Sequence, residues 1–147
     1  MDDLQRWNAN ESIRRVVALY AQLLDSGRLE EWIDLFQEEA RFRVYGQTFA
    51  GRAVILDEIG GMQPPPDRPV KHVCLVPVID LQGDDRALAW TDFSAFATNE
   101  EGRIEIATIG RYYDDLVREN DRWRFSSRTI VLAGEAPPPD LVPSPSS

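Results

Sequence analysis

A single histidine, His72, and a single cysteine, Cys74, supply all the imidazole and thiol chemistry in this 147-residue sequence. Multi-histidine metal sites and cysteine zinc clusters cannot be built from one such chain, and the candidate residues below imply no metal or organic cofactor. Cys74 has no partner within the chain, which excludes an internal disulfide framework and fits a reducing compartment. Basic residues are the minority. Lys and Arg number 16 against 25 Asp and Glu, giving a net charge of −9, with no basic stripe to displace phosphate counterions. Nucleic acid and anionic membranes are therefore excluded as expected partners. No apolar run approaches the roughly 20 residues a membrane span needs, and Met1-Asp2-Asp3 lacks the basic-then-apolar pattern of a targeting segment. The expectation is a soluble, cytoplasmic protein. No G-x-S-x-G elbow, Walker loop or G-x-G-x-x-G is present, and Gly60-Gly61 follows a helical pattern rather than joining strand to helix.

What is there is enough for one core: 43% of the residues are hydrophobic, in a length that forms a single domain. Ile13, Val16, Val17, Tyr20, Leu23 and Leu24 repeat at helical spacing, with an Asn8/Glu11 capping box before them and Gly27 as a stop. A second short helix carries Leu29, Trp32, Ile33 and Phe36, whose stripe reads either as core or as the lining of a cavity. Residues 40–45 alternate as a strand, and 51–59 read as a short helix before the stiff connector Pro64-Pro65-Pro66. Four strand patterns follow, over 70–81, 86–97, 104–118 and 123–132, joined by hairpin-length turns; Pro77 marks an edge position or bulge in the first. The domain is expected over 1–133. The proline-rich segment 134–147 is expected to be disordered or loosely draped. Helices first and a meander second predict an α+β fold in which helices cover one face of a curved antiparallel sheet and leave a pocket at its mouth.

His72 shares a strand face with Cys74 and Val76, and reads either as a structural histidine or as a base. Tyr20, Asp25 and Asp92 are candidates to converge with it. Asp25 opposes the dipole at the end of the first helix, yet lies about 140° around an ideal helix from Tyr20, so a solvated helix-end acid is an equal reading. Asp92 shares a face with Leu88, Trp90, Ser94 and Phe96. Either that face is apolar and lifts the carboxyl as a general acid requires, or it is solvated and Trp90 and Phe96 lie under a partner subunit. Arg128 is a candidate counter-ion for Asp25 or Asp92, or a surface residue. Asp114-Asp115 and Glu100-Glu101 read as solvated turns and edges.

The stretches Tyr20-Ala-x-x-Leu-Asp25-x-Gly, Trp32-x-x-Leu-Phe36, Phe49-x-Gly51-Arg52, Lys71-His72, Pro77-Val-Ile-Asp80-x-x-Gly83-Asp84, Gly110-Arg-Tyr112-x-Asp114 and Trp123-Arg-Phe-x-x-Arg128 together span about residues 10 to 132. This pattern resembles the SnoaL-like branch of the nuclear-transport-factor-two-like superfamily, whose members include polyketide cyclases, scytalone dehydratase and bile-acid dehydratase. The resemblance implies a cone-shaped α+β domain with the N-terminal helices on the concave face of the sheet, enclosing a pocket. It also implies that Tyr20, Asp25 and His72 occupy the positions of a dehydratase's catalytic residues, with Asp92 and Arg128 in the pocket. Trp32, Phe36, Trp90 and Tyr112 complete the expected substrate-binding set. Relatives often carry Gly-Arg-Tyr-His-Asp where this chain has Tyr113, so a mechanism with two imidazoles is not available.

The function expected from this set is a cofactor-independent lyase or isomerase acting on a small hydrophobic carbonyl compound. His72 moves the proton, Asp25 fixes its tautomer, Tyr20 donates to the developing oxyanion and Asp92 assists at the leaving hydroxyl. The small subunits of aromatic-ring-hydroxylating dioxygenases are also similar over Leu23-Leu-Asp25 and Glu31-Trp32-x-x-Leu-Phe36, which implies a non-catalytic structural role instead. A ligand-binding module without turnover is the third reading. Self-association as a homodimer, or a trimer, is expected whichever applies, because a sheet covered on one side leaves the other open.

Overall fold

The computed structural model describes residues 1–144. Helix α1 spans Asp3–Asp25 and buries Ile13, Val16, Val17, Tyr20, Leu23 and Leu24 along one face. It begins five residues before the expected Asn8 cap, because Asp2 and Gln5 form the capping box that ends the helix dipole there. Gly27, at φ +71°, provides the left-handed residue that turns the chain into α2, Leu29–Ile33. The helix was expected to reach Phe36. Instead Phe36 opens strand β1, Phe36–Val44, since its backbone pairs with Phe125 on the last strand.

Strand β2, Gln47–Ala50, has no counterpart in the sequence reading. Its side chains are mostly exposed, so no apolar alternation announces it, and it forms because Tyr45 and Gly46 both adopt positive φ in a two-residue hairpin turn. Helix α3, Arg52–Ile55, continues as a single π-helical turn over Leu56–Gly60.

The expected first strand of the meander is two strands, β3 at Val70–Cys74 and β4 at Val78–Leu81, both antiparallel to β5, Arg86–Thr98. Leu75-Val76-Pro77 separates them on the sheet edge, as Pro77 implied. Strands β6, Ile104–Glu119, and β7, Arg122–Leu132, complete the antiparallel meander. Because β1 then runs parallel to β7, the full sheet is mixed, in the order β2-β1-β7-β6-β5-β3.

The helices cover the concave face, and the core fills the space between: Ile13, Val17, Tyr20, Trp32, Phe36, Phe42, Tyr112, Leu116 and Phe125 are each at most 2% exposed. Gly110 shows how tightly β5, β6 and β7 meet over this core. A Cβ there would lie 2.5 Å from the Val131 carbonyl oxygen and 3.1 Å from the Phe93 ring, which is itself stacked on Tyr112 at 4.1 Å. We expect Gly110→Ala to cost about 2 kcal/mol by forcing backbone apart, measured as a lowered urea midpoint with unchanged slope.

Candidate active site

Asp25 is the last residue of α1, where its charge is unfavourable to the helix. The structure supplies compensating partners on β3. One carboxylate oxygen accepts the backbone N–H of His72 at 2.8 Å, and the other lies 2.6 Å from His72 Nδ1. The side chains of Asp25 and His72 are 6% and 16% exposed, and Lys71 Nζ stands 4.0 Å from the same carboxylate. A carboxylate only accepts hydrogen bonds, so this contact holds the proton of a neutral imidazole on Nδ1 and leaves the Nε2 lone pair as the basic position.

Beside this dyad, α1 and β3 enclose an open cleft of about 460 Å³. Val17, Ala18, Ala21 and Gln22 line it from the helix, and His72, Cys74, Val76 and Pro77 from the sheet edge. Ala21 and Gln22 carried no chemical signal in the sequence; their place follows from facing β3 one turn before Asp25. Burial pushes the half-buried Cys74 thiol above the ordinary thiol range, so it contributes as a small apolar wall.

Tyr20 turns inward from α1 and is buried, about 140° around the helix from Asp25. Its ring lies 4.1 Å from the guanidinium of Arg128, which is also 3.8 Å from the Tyr112 ring and 4.3 Å from that of Phe125. Burial holds the Tyr20 and Tyr112 phenols well above their ordinary range, so both remain protonated. Arg128 is fully buried and makes a two-pronged ion pair with Asp114, 2.7 Å at each prong. Its counter-ion is therefore neither Asp25 nor Asp92. Asp114, read from the sequence as a solvated acid, is buried, and desolvation lifts its carboxyl while Arg128 opposes the shift.

A bulge explains how Arg128 comes to face inward. On strict alternation Trp123 and Phe125 exclude Arg128 from their face, but the register slips between Asp115↔Ser127 and Leu116↔Phe125, inserting one residue into β7. The signal available in the sequence was Ser126-Ser127 interrupting the alternation. One Arg128 nitrogen, Nη1, has no protein partner, and neither has Trp32 Nε1 or Thr91 Oγ1.

Trp32 and Phe36 are fully buried and pack against Tyr20 at 5.7 and 6.2 Å between ring centroids, so they are core residues behind the site. Two expected pocket residues are elsewhere. Asp92 is half exposed on the opposite, convex face, where Arg111 binds it at 2.6 Å. Trp90 shares that face and lies under the C-terminal segment rather than in the pocket. The inward side of β5 is instead the small set Ala87, Ala89, Thr91, Phe93 and Ala95. Among the described residues no group of three or more His, Cys, Asp and Glu is arranged to hold a metal ion, and no helix is long and apolar enough to cross a membrane.

The profile of the SnoaL-like domain matches residues 5–129. The chain belongs to the SnoaL-like domain family. Solved structures carry the same fold with low sequence identity. A scytalone dehydratase-like protein from Novosphingobium aromaticivorans superposes with a TM-score of 0.76 at 21% identity, over 88% of this chain and 87% of that one. A dioxygenase-type beta subunit from the same bacterium gives 0.74 at 22% identity, over 89% and 93%. ActVI-ORFA of Streptomyces coelicolor gives 0.76 at 16% identity, over 86% and 98%. Nothing matches among the curated proteins. This SnoaL-like chain therefore shares its architecture with proteins described in quite different ways, and only its own site can separate the readings.

Proposed function

We propose that this SnoaL-like protein is a cofactor-independent lyase or isomerase that moves a proton next to the carbonyl of a small hydrophobic molecule. The observation that carries the reading is the two-point contact between Asp25 and His72 at the wall of an apolar cleft. His72 Nε2 acts as base, Asp25 fixes the tautomer and stabilises the imidazolium, and the protonated Tyr20 phenol donates to the oxyanion as it develops. Asp92 has no part in this, being on the other face of the sheet.

Incubating the protein with a β-hydroxy ketone such as 4-hydroxy-4-phenylbutan-2-one, and following the absorbance of the conjugated enone formed by loss of water, tests the chemistry. Turnover by the wild type that vanishes in His72→Ala supports it; equal turnover by both proteins ends it. The similarity to a dioxygenase-type beta subunit supports a second reading, as a structural subunit. A purely structural subunit does not require a carboxylate-oriented imidazole at a cleft, and we favour the enzyme for that reason.

We further propose a homodimer, with a second copy covering Val73, Leu75, Ile106 and Ile109, which are 44 to 65% exposed. Val73, Ser94 and Ile109 stand in register on adjacent strands, so these apolar side chains form one strip. We expect Ile109→Asp to convert a dimer to a monomer in sedimentation equilibrium, without loss of helical signal. The unpaired thiol of Cys74 supports a cytoplasmic setting.

A further inference from the structure

The convex face of the sheet carries a second built site, unrelated to the cleft. Its floor is Trp90, Tyr113 and Val131, each no more than 8% exposed, and the residue that covers them is Leu141 of the C-terminal segment. Arg43 stands at one side. Its Nε donates to Thr129 Oγ1 at 3.0 Å, which fixes the guanidinium, and its two terminal nitrogens reach both oxygens of Asp140 at 3.1 Å. On the other side the Trp90 indole N–H donates to the Val142 carbonyl at 2.7 Å. The docked segment is folded into a turn: the Leu141 N–H donates to the Pro138 carbonyl, with Pro139 in the second position, where proline is favoured.

Three consecutive residues are thus read by three different chemistries, a carboxylate by a fixed guanidinium, an aliphatic side chain by an aromatic floor and a carbonyl by an indole. A tail that merely drapes over a surface has no need of these. We propose that this face is a peptide-binding site for a proline turn followed by an acidic and an aliphatic residue, filled in cis by Pro138-Pro139-Asp140-Leu141-Val142 and offered to a partner protein bearing the same sequence chemistry when the tail detaches. The tether gives the tail an effective concentration in the millimolar range, so a partner must bind more tightly than that to displace it. Room for tighter binding exists. A hollow of about 200 Å³ remains beside Leu141, lined by Arg86, Leu88 and Tyr113 among others, and a larger side chain at that position fills it.

The full-length double variant Asp140→Ala/Leu141→Ser frees the site, and the Trp90 indole N–H resonance, assigned with Trp90→Phe, reports on it. We expect this resonance to shift and lose hydrogen-exchange protection about tenfold in the double variant. A synthetic peptide, acetyl-Pro-Pro-Pro-Asp-Leu-Val-Pro-amide, then restores it in trans at submillimolar concentration. The same peptide with Phe for Leu binds more tightly, and adding Arg43→Ala weakens either about tenfold. If the double variant leaves the indole signal unchanged, or a peptide with Asn for Asp and Ser for Leu restores it equally, the proposal fails. Restoration of the variant's signal only on mixing with wild type, at concentrations where dimers form, makes a second copy the occupant and overturns the partner reading. Should the variant fold poorly, wild-type exchange at the Leu141 amide decides: no protection there means the turn and its site do not exist.

Discussion

Replacing His72 by alanine is expected to lower turnover on a dehydratable hydroxy ketone about 10³-fold, the middle of the range for losing a positioned general base. The fold is expected to survive, because Asp25 keeps its bond from the backbone N–H at position 72, which the substitution does not remove. Asp25→Asn sharpens the test. The amide oxygen can still accept that backbone bond, but the amide nitrogen then faces Nδ1 and donates to it. The imidazole proton moves to Nε2, the nitrogen meant to act as base, and the expected loss is again about 10²- to 10⁴-fold, by the tautomer effect known for base–carboxylate pairs. Tyr20→Phe is a milder change. Its phenol is held protonated by burial, so we expect about a 10²-fold loss in kcat that stays constant across neutral and mildly alkaline pH. Full turnover in both His72→Ala and Asp25→Asn, with wild-type circular dichroism, would exclude the dyad from the chemistry.

The largest expected change in stability comes from Arg128. Arg128→Met leaves the Asp114 carboxylate buried with no counter-ion, which costs about 3–5 kcal/mol. The guanidinium also leaves three aromatic rings it now stacks on. Since a domain of this size holds only about 5–15 kcal/mol in all, the variant is expected to melt far below the wild type. Arg128→Met/Asp114→Leu removes both charges together and is expected to recover most of the loss, because an apolar pair bears no desolvation penalty. Thermal and urea unfolding of the three proteins measure this directly. A single variant that loses less than about 1 kcal/mol would show that the ion pair does not support the core.

The same residues explain which features were visible beforehand. The stripe from Ile13 to Leu24 was legible because a helix repeats every 3.6 residues and the pattern lasts three turns. The N-terminus of that helix was not, since Asn8-x-x-Glu11 and Asp2-x-x-Gln5 are both acceptable caps and only the structure shows which one the backbone uses. The dyad was half legible. The residue types and their order suggested it, while the angle between Tyr20 and Asp25 left their meeting point open; the turn at Gly27 and the placement of β3 against α1 settled where Asp25 points.

Strand β5 shows the deeper limit. Alternation divides it into two sets, Ala87-Ala89-Thr91-Phe93 and Leu88-Trp90-Asp92-Ser94, and both contain large apolar groups. Trp90, the larger aromatic, belongs to the second set, yet that set faces outward, and Trp90 is buried there beneath Leu141. A period of two states that a strand has two faces and is silent on which one meets the helices. What the sequence determined by itself was the kind of element at each place, the α+β order and the supply of one imidazole, because these depend on local spacing and composition. The tertiary structure alone decided the inward turn of Arg128 at the β7 bulge, its pairing with Asp114, and the exile of Asp92 to the convex face. Those outcomes depend on strand register, which is fixed by contacts between residues far apart in the chain.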